Sequence, residues 1–195
     1  MVMDRQPPPR RGRRRSEESR TAILAAAYEL VAEAGYADLT IEGIASRAGC
    51  GKQTIYRWWP SKAHVLLEAL AAKAGLFVSN ADHGSYAADL REFLTDTFTL
   101  SRRRPVADIL RVLMAQAQID PEFGQVFRTD LLQRRREALQ VVLDRARTRG
   151  DLPSSPTPET VLDLVFGALW YRLLATGRPV DDALADDLVA TLTRP

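Results

Sequence analysis

Apolar residues recur along this chain at intervals of three and four with polar residues between them, which is the period of an α-helix rather than the alternation of a strand. Combined with start and stop signals, the pattern predicts nine helices and no convincing strand, hence an all-α fold. The first begins after Ser16, with Glu17 and Glu18 suited to its positive end. It carries Ile23, Leu24, Ala27, Leu30 and Val31 on one face and stops at Gly35. The second starts at Thr40, where Leu39 and Ile44 have staple spacing and the hydroxyl can cap a first-turn N–H. Gly49 supplies the left-handed residue that ends it after Ala48. Past Gly49, Cys50 and Gly51, residues 52–59 place Ile55 and Trp59 four apart on a third helix. A fourth spans 62–78, with Leu66, Leu67, Leu70 and Ala74 as its apolar face. Further helices follow at 86–100, at 106–119 behind Pro105, and at 122–149 before Gly150. The stretch DLPSSPTP at 151–158 is the clearest loop, and its Thr157 and Pro158 read as cap and first residue of an eighth helix ending near Gly177. The ninth turns Ala183, Leu184, Leu188 and Leu192 inward, leaving Asp181, Asp182, Asp186 and Asp187 to water.

Two short helices joined by a glycine turn, the second studded with polar and basic residues, form the pattern of a helix-turn-helix for DNA. Lys52 and Gln53, at the start of the second of these, are long enough to reach base edges, Lys suiting guanine and Gln adenine. Thr54, Tyr56 and Arg57 suit phosphate oxygens, or a thymine methyl in the case of Thr54, and Lys62 is placed to meet the DNA backbone at the next helix start. With the capping positions Thr40 and Gly51, these make the candidate DNA-binding set.

Charge sharpens this picture. Residues 1–62 carry 11 Lys and Arg against 7 Asp and Glu, whereas the remainder of the chain is slightly acidic. Much of the excess lies in residues 1–15, where six arginines oppose only Asp4 and Pro7, Pro8 and Pro9 forbid a helix; this predicts a disordered basic arm that touches phosphate or the minor groove. The arginine runs at 102–104 and 134–136 read instead as solvated loop and helix faces. A single cysteine, Cys50, excludes an internal disulfide or a cysteine-based zinc site and suits a reducing cytoplasm, and no apolar run is long enough for a membrane span. Two histidines without an acidic cluster at helical spacing offer neither a metal site nor a catalytic centre, so neither an enzyme nor a cofactor is expected.

The eighth helix is apolar almost all round in VLDLVFGALWYRLLA, interrupted only by Asp163 and Arg172, and must be covered on two sides. One side can pack on its own core. The other needs a second subunit, with the ninth helix completing a four-helix interface, which predicts a homodimer.

The opening helix RTAILAAAYELVAEAGY, then Leu39 and Thr40, IAxxAG at 44–49, KQTIYRWWPSK at 52–62, and Leu66 with Leu67 together resemble the N-terminal domain of the tetracycline-repressor (TetR) family of bacterial regulators. The stretch GALWYRLLATGRPVDD at 167–182 is similar to the penultimate helix and following turn of one ligand-binding subgroup. Gly51 stands where the family usually has Ser or Thr, and Trp58 with Trp59 where it usually has Tyr-Phe. The resemblance implies a helix-turn-helix domain over 16–61 and a ligand-binding and dimerisation domain over 62–195, with an inducer pocket among the fourth to eighth helices. Phe77, Phe93, Phe98, Met114, Gln118, Phe127, Trp170 and Tyr171 are then the candidate ligand-binding residues, Gln118 or Tyr171 orienting an apolar or aromatic effector. The expected function is a dimeric repressor of a near-palindromic double-stranded DNA operator, released by that effector. The alternatives are an activator, an orphan regulator without ligand, or a small-molecule binding module that retains a helix-turn-helix.

Overall fold

A computed structural model describes residues 11–74 and 81–194, and every regular element among them is helical. In order these are α1 (Arg11–Ala34), α2 (Ile41–Ala48), α3 (Lys52–Tyr56), α4 (Lys62–Ala74), α5 (Tyr86–Arg102), α6 (Arg104–Ile119) and α7 (Pro121–Phe127). A π-helical segment π1 (Arg128–Gln133) leads into α8 (Arg134–Arg149); α9 (Pro158–Trp170) continues through a second, π2 (Tyr171–Thr176), and α10 (Asp182–Leu192) closes the chain. The chain divides into two compact units, the first running to Ala69 and the second from Leu70, so the division falls inside α4 and later than the expected boundary at 61/62.

In the first unit α1 begins at Arg11, upstream of the expected start, because nothing after Pro9 forbids a helix and arginine is a good helix former. Residues 11–15 are therefore helical rather than an irregular arm; residues 1–10 lie outside the described residues. Helix α1 packs on α2 and α2 on α3, burying Ile23, Ala27, Val31, Leu39, Ile44, Ile55 and Trp59. Arg47 binds Glu33 with both terminal guanidinium nitrogens, at 2.6 and 2.7 Å, tying α2 to α1. Glu68 on α4 accepts from Trp59 Nε1 at 2.8 Å and from Arg20 at 2.6 Å.

The second unit is built on α5, flanked by α8 and α10, with α9 against α8. Tyr86, Leu90, Phe93, Leu94 and Phe98 of α5 meet Leu139, Val142, Leu143 and Ala146 of α8, and Leu162, Val165, Leu184, Val189 and Leu192 join the same core. The final helix turns inward as expected through Leu184 and Leu192, which are buried, and Leu188, which is half-buried, but Ala185 and Val189 are buried as well and Ala183 is exposed. Asp181 caps it, accepting from Leu184 N at 3.2 Å.

Asp89 is a buried carboxylate at the start of α5. It accepts from His83 N at 2.7 Å, Arg149 Nη2 at 2.9 Å and Arg145 Nη1 at 3.3 Å, fastening α5 to the C-terminal end of α8.

Where α7 meets α6, a Cβ on Gly124 would lie 2.5 Å from the Ala117 carbonyl oxygen. Backbone cannot give way as a flexible side chain can, so Gly124→Ala is expected to destabilise the protein by about 1 to 3 kcal/mol in urea unfolding, through forced separation of the two helices.

Candidate nucleic-acid interface and effector cavity

The expected caps shape the reading head. Thr40 Oγ1 accepts from Gly43 N at 3.0 Å, which leaves its own O–H to donate. Gly49 takes φ 66° at the end of α2, and Cys50 N donates to Ala45 O at 3.0 Å, a Schellman closure that aims the chain into α3. No side chain caps α3, because Gly51 is its cap residue. The helix ends at Tyr56, sooner than expected, since Pro60 lacks an N–H and disfavours helix at the residue before it.

Ile55 and Trp59 face the core while Gly51, Lys52, Gln53, Tyr56 and Arg57 are exposed and Thr54 is half-buried. The polar side of α3 is therefore open to a groove. Lys52 is held at 2.8 Å by Glu42 in an exposed ion pair that raises the lysine's pKa and lowers the glutamate's, so a base contact must exchange that partner. The ring of Trp58 stacks on Trp59 with centroids 5.9 Å apart and lies beneath the guanidinium groups of Arg20 and Arg57, at 5.3 and 5.9 Å. Arg57 thus starts from a defined position.

Lys62 departs from expectation. Its Nζ donates to the carbonyls of Leu39 and Tyr36 at 2.8 and 3.1 Å and sits 4.2 Å from the Tyr36 ring centroid. It locks the turn before α2 to the start of α4, leaving one N–H at most for phosphate. The Cys50 thiol is half-buried, and burial pushes its pKa up, which works against a reactive thiolate.

The second unit contains a cavity of about 390 Å³. Among the described residues its wall comes from Leu70 of α4, Thr97, Leu100 and Ser101 of α5, Val106 and Leu110 of α6, Leu131 and Leu132 of π1, Arg135 and Arg136 of α8, and Asp163, Phe166, Gly167, Leu169 and Trp170 of α9. Of the described residues expected to bind ligand, only Trp170 lines it. Phe93, Phe98 and Phe127 are fully buried packing residues, Phe127 lying edge-on to Trp170 with centroids 6.3 Å apart. Gln118 is exposed and bonds Met114 Sδ at 3.7 Å, Tyr171 is 65% exposed, and Phe77 lies outside the described residues.

The arginines of the 134–136 run have different fates. Arg134 is solvated, Arg136 pairs with Glu159 and with Asp163 at 2.9 Å, and Arg135 turns inward. Its position was legible: Leu131, Arg135 and Leu139 share one helical stripe, so an arginine occupies a slot that is otherwise apolar.

Among the described residues no group of three or more His, Cys, Asp or Glu side chains could hold a metal ion, and no helix is long and apolar enough to cross a membrane.

Known proteins show the same organisation. Residues 23–76 match the family described as bacterial regulatory proteins, tetR family, and residues 80–192 match the tetracyclin repressor-like C-terminal domain. The uncharacterized HTH-type transcriptional regulator YdeS of Bacillus subtilis is 35% identical over 182 residues, covering 92% of this chain and 90% of its own. The DNA-binding transcriptional repressor TetR of Mycobacteroides abscessus is 29% identical over 192 residues, covering 93% and 97% of the two chains. The crystal structure of the TetR family transcription regulator SCO0332 superposes with a TM-score of 0.78 at 33% identity, covering 90% of this chain and 97% of that one. With both parts of the chain matched and its helix-turn-helix presenting a polar face, this protein belongs to the TetR family of bacterial transcriptional regulators.

Proposed function

We propose that this chain is a repressor that binds a near-palindromic operator as a homodimer and leaves it when a small apolar or aromatic effector fills the cavity of the second unit. The observation that carries this reading is the cavity itself. A space of about 390 Å³ walled mainly by Leu, Val, Phe and Trp side chains is of the size and character of a small-molecule site. Leu70 in its wall belongs to α4, the same continuous helix that begins at Lys62 in the DNA-reading unit. Filling the cavity can bias DNA binding only if the effector prefers the released conformation over the bound one.

Dimerisation is supported by an apolar stripe that the fold leaves uncovered. Leu164, Tyr171 and Leu174 of α9 and π2 are 44%, 65% and 46% exposed, with Gly167 between them, and they recur at helical spacing along one side. A two-fold dimer presents two α3 helices to half-sites about one turn of DNA apart.

The reading is tested with the intergenic DNA beside the gene. Lys52→Ala and Gln53→Ala are each expected to weaken operator binding roughly ten- to a hundred-fold in a gel shift and to relax preference at one base-pair position per half-site. Wild-type affinity and preference in both variants would remove α3 as the reading helix. An effector that fits the cavity should release the wild-type complex, and promoter output should rise with it; output that falls would make the protein an activator.

A further inference from the structure

We infer that the cavity of the second unit selects an apolar carboxylic acid, with the Arg135 guanidinium as the group that binds its carboxylate. This rests on the reading of that cavity as the effector site and adds the chemical class of the effector.

A buried or half-buried arginine normally meets a carboxylate, as Arg136 beside it meets Glu159 and Asp163. Arg135 is half-buried and lines the cavity, yet among the described residues no carboxylate forms an ion pair with it. Its protein partners are a hydroxyl and a ring: Nη2 donates to Thr97 Oγ1 at 2.7 Å, and the guanidinium carbon lies 5.7 Å from the Phe93 centroid. Arginine has five N–H donors in a planar fork, so most of them remain to be used. They are not sealed in protein, because among the described residues the buried side-chain polar atoms without a partner are Arg20 Nε and Tyr86 Oη. Burial pushes the Arg135 pKa down to about 10, with Asp96 offsetting part of the effect, so the side chain stays cationic at neutral pH while incompletely solvated.

Three features then converge on one ligand chemistry. The Thr97 contact and the Phe93 ring hold the guanidinium in place, and Thr97 is itself 3% exposed, so the fork is preorganised. The carboxylate that the wall does contain, Asp163, pairs with Arg136 and forms no ion pair with Arg135. Apart from the Arg136–Asp163 pair and the hydroxyls of Thr97 and Ser101, the wall around this charge is mainly Leu, Val, Phe and Trp. A ligand with an apolar body and one carboxylate would complete the bidentate pairing that the protein leaves open. A neutral ligand of the same body would leave it open still.

The test compares decanoate with decan-1-ol and 2-naphthoate with 2-naphthol by calorimetric titration of the full chain at neutral pH. At least one acid is expected to bind about tenfold or more tightly than its alcohol. Arg135→Met should lose that acid about ten- to a hundred-fold while holding the alcohol within about twofold, and Arg135→Lys should fall between, keeping charge without the fork. Equal binding of acid and alcohol by the wild type overturns the acid selectivity and leaves the cavity as an effector site. Equal loss of both ligands in Arg135→Met assigns the arginine a purely structural role and also overturns it. No binding of any of the four would overturn this inference and count against the effector reading beneath it. The wild-type ratio decides the matter even if Arg135→Met does not fold.

Discussion

Tyr171→Asp combined with Leu174→Asp is expected to give a folded monomer that binds its operator poorly, whereas Leu192→Asp is expected to unfold the protein. The two outcomes separate because the side chains are used differently. Tyr171 and Leu174 are 65% and 46% exposed within one subunit and carry little of its core, so a carboxylate there stays hydrated until a partner tries to cover it. Covering it then costs several kcal/mol, enough to empty a dimer of ordinary micromolar to nanomolar affinity. The monomer keeps its helices but must recruit the second half-site contact from solution instead of from a tethered partner. Leu192 is 1% exposed and packs in the core of its own subunit, so an aspartate there takes the same desolvation cost out of a folding free energy of only about 5 to 15 kcal/mol. Light scattering, circular dichroism and a gel shift on the three proteins check this together. A double variant that remains dimeric would show that the α9 stripe is not the subunit interface.

Asp89→Ala is expected to lower stability by about 3 kcal/mol, towards the small end of the range for breaking a buried ion pair. The carboxylate is fully buried and collects His83 N–H and two guanidinium groups; all three lose this acceptor at once, while Arg145 keeps Ala81 O and Arg149 keeps Asp82 and Asp151. Arg145 and Arg149 retain about a fifth of their side-chain exposure, so water takes over part of their solvation. The same site shapes the acid limb of stability. Burial by itself raises the Asp89 pKa, but the His83 N–H and the Arg149 and Arg145 charges outweigh it and hold the carboxyl below its ordinary value. A group whose folded pKa is depressed contributes its full stabilisation above the unfolded pKa and loses it as the pH falls from there through the folded pKa. Urea unfolding from pH 7 to pH 3 should therefore show a steeper loss below about pH 4 in the wild type than in Asp89→Asn. Identical slopes would mean that the Asp89 pKa is the same in the folded and unfolded states.

Much of the local structure was legible from the residues because its causes are local. Thr40, Gly49, Gly150, Thr157 with Pro158, and Gly177 start or stop helices where they stand, since a cap needs only its own neighbours and a left-handed residue only its own backbone. The helix-turn-helix was legible for the same reason, including the buried pair Ile55 and Trp59 and the exposed Lys52 and Gln53. Tertiary structure decided what covers each face. Lys62 reads as a phosphate contact until the fold brings two carbonyls of a distant turn to its Nζ, and Ala183 reads as inward until α10 packs on α5 through Ala185 and Val189. The cavity was the least visible feature. Helix α5 is buried on two sides, its large Phe93 and Phe98 filling the core while Thr97, Leu100 and Ser101 border the open space. A search for big aromatic side chains finds where volume is filled. A cavity forms where the side chains that meet are too small to fill it, and which ones meet depends on helices far apart in the chain, so periodicity can mark a buried face but cannot say whether protein or ligand will occupy the space beyond it.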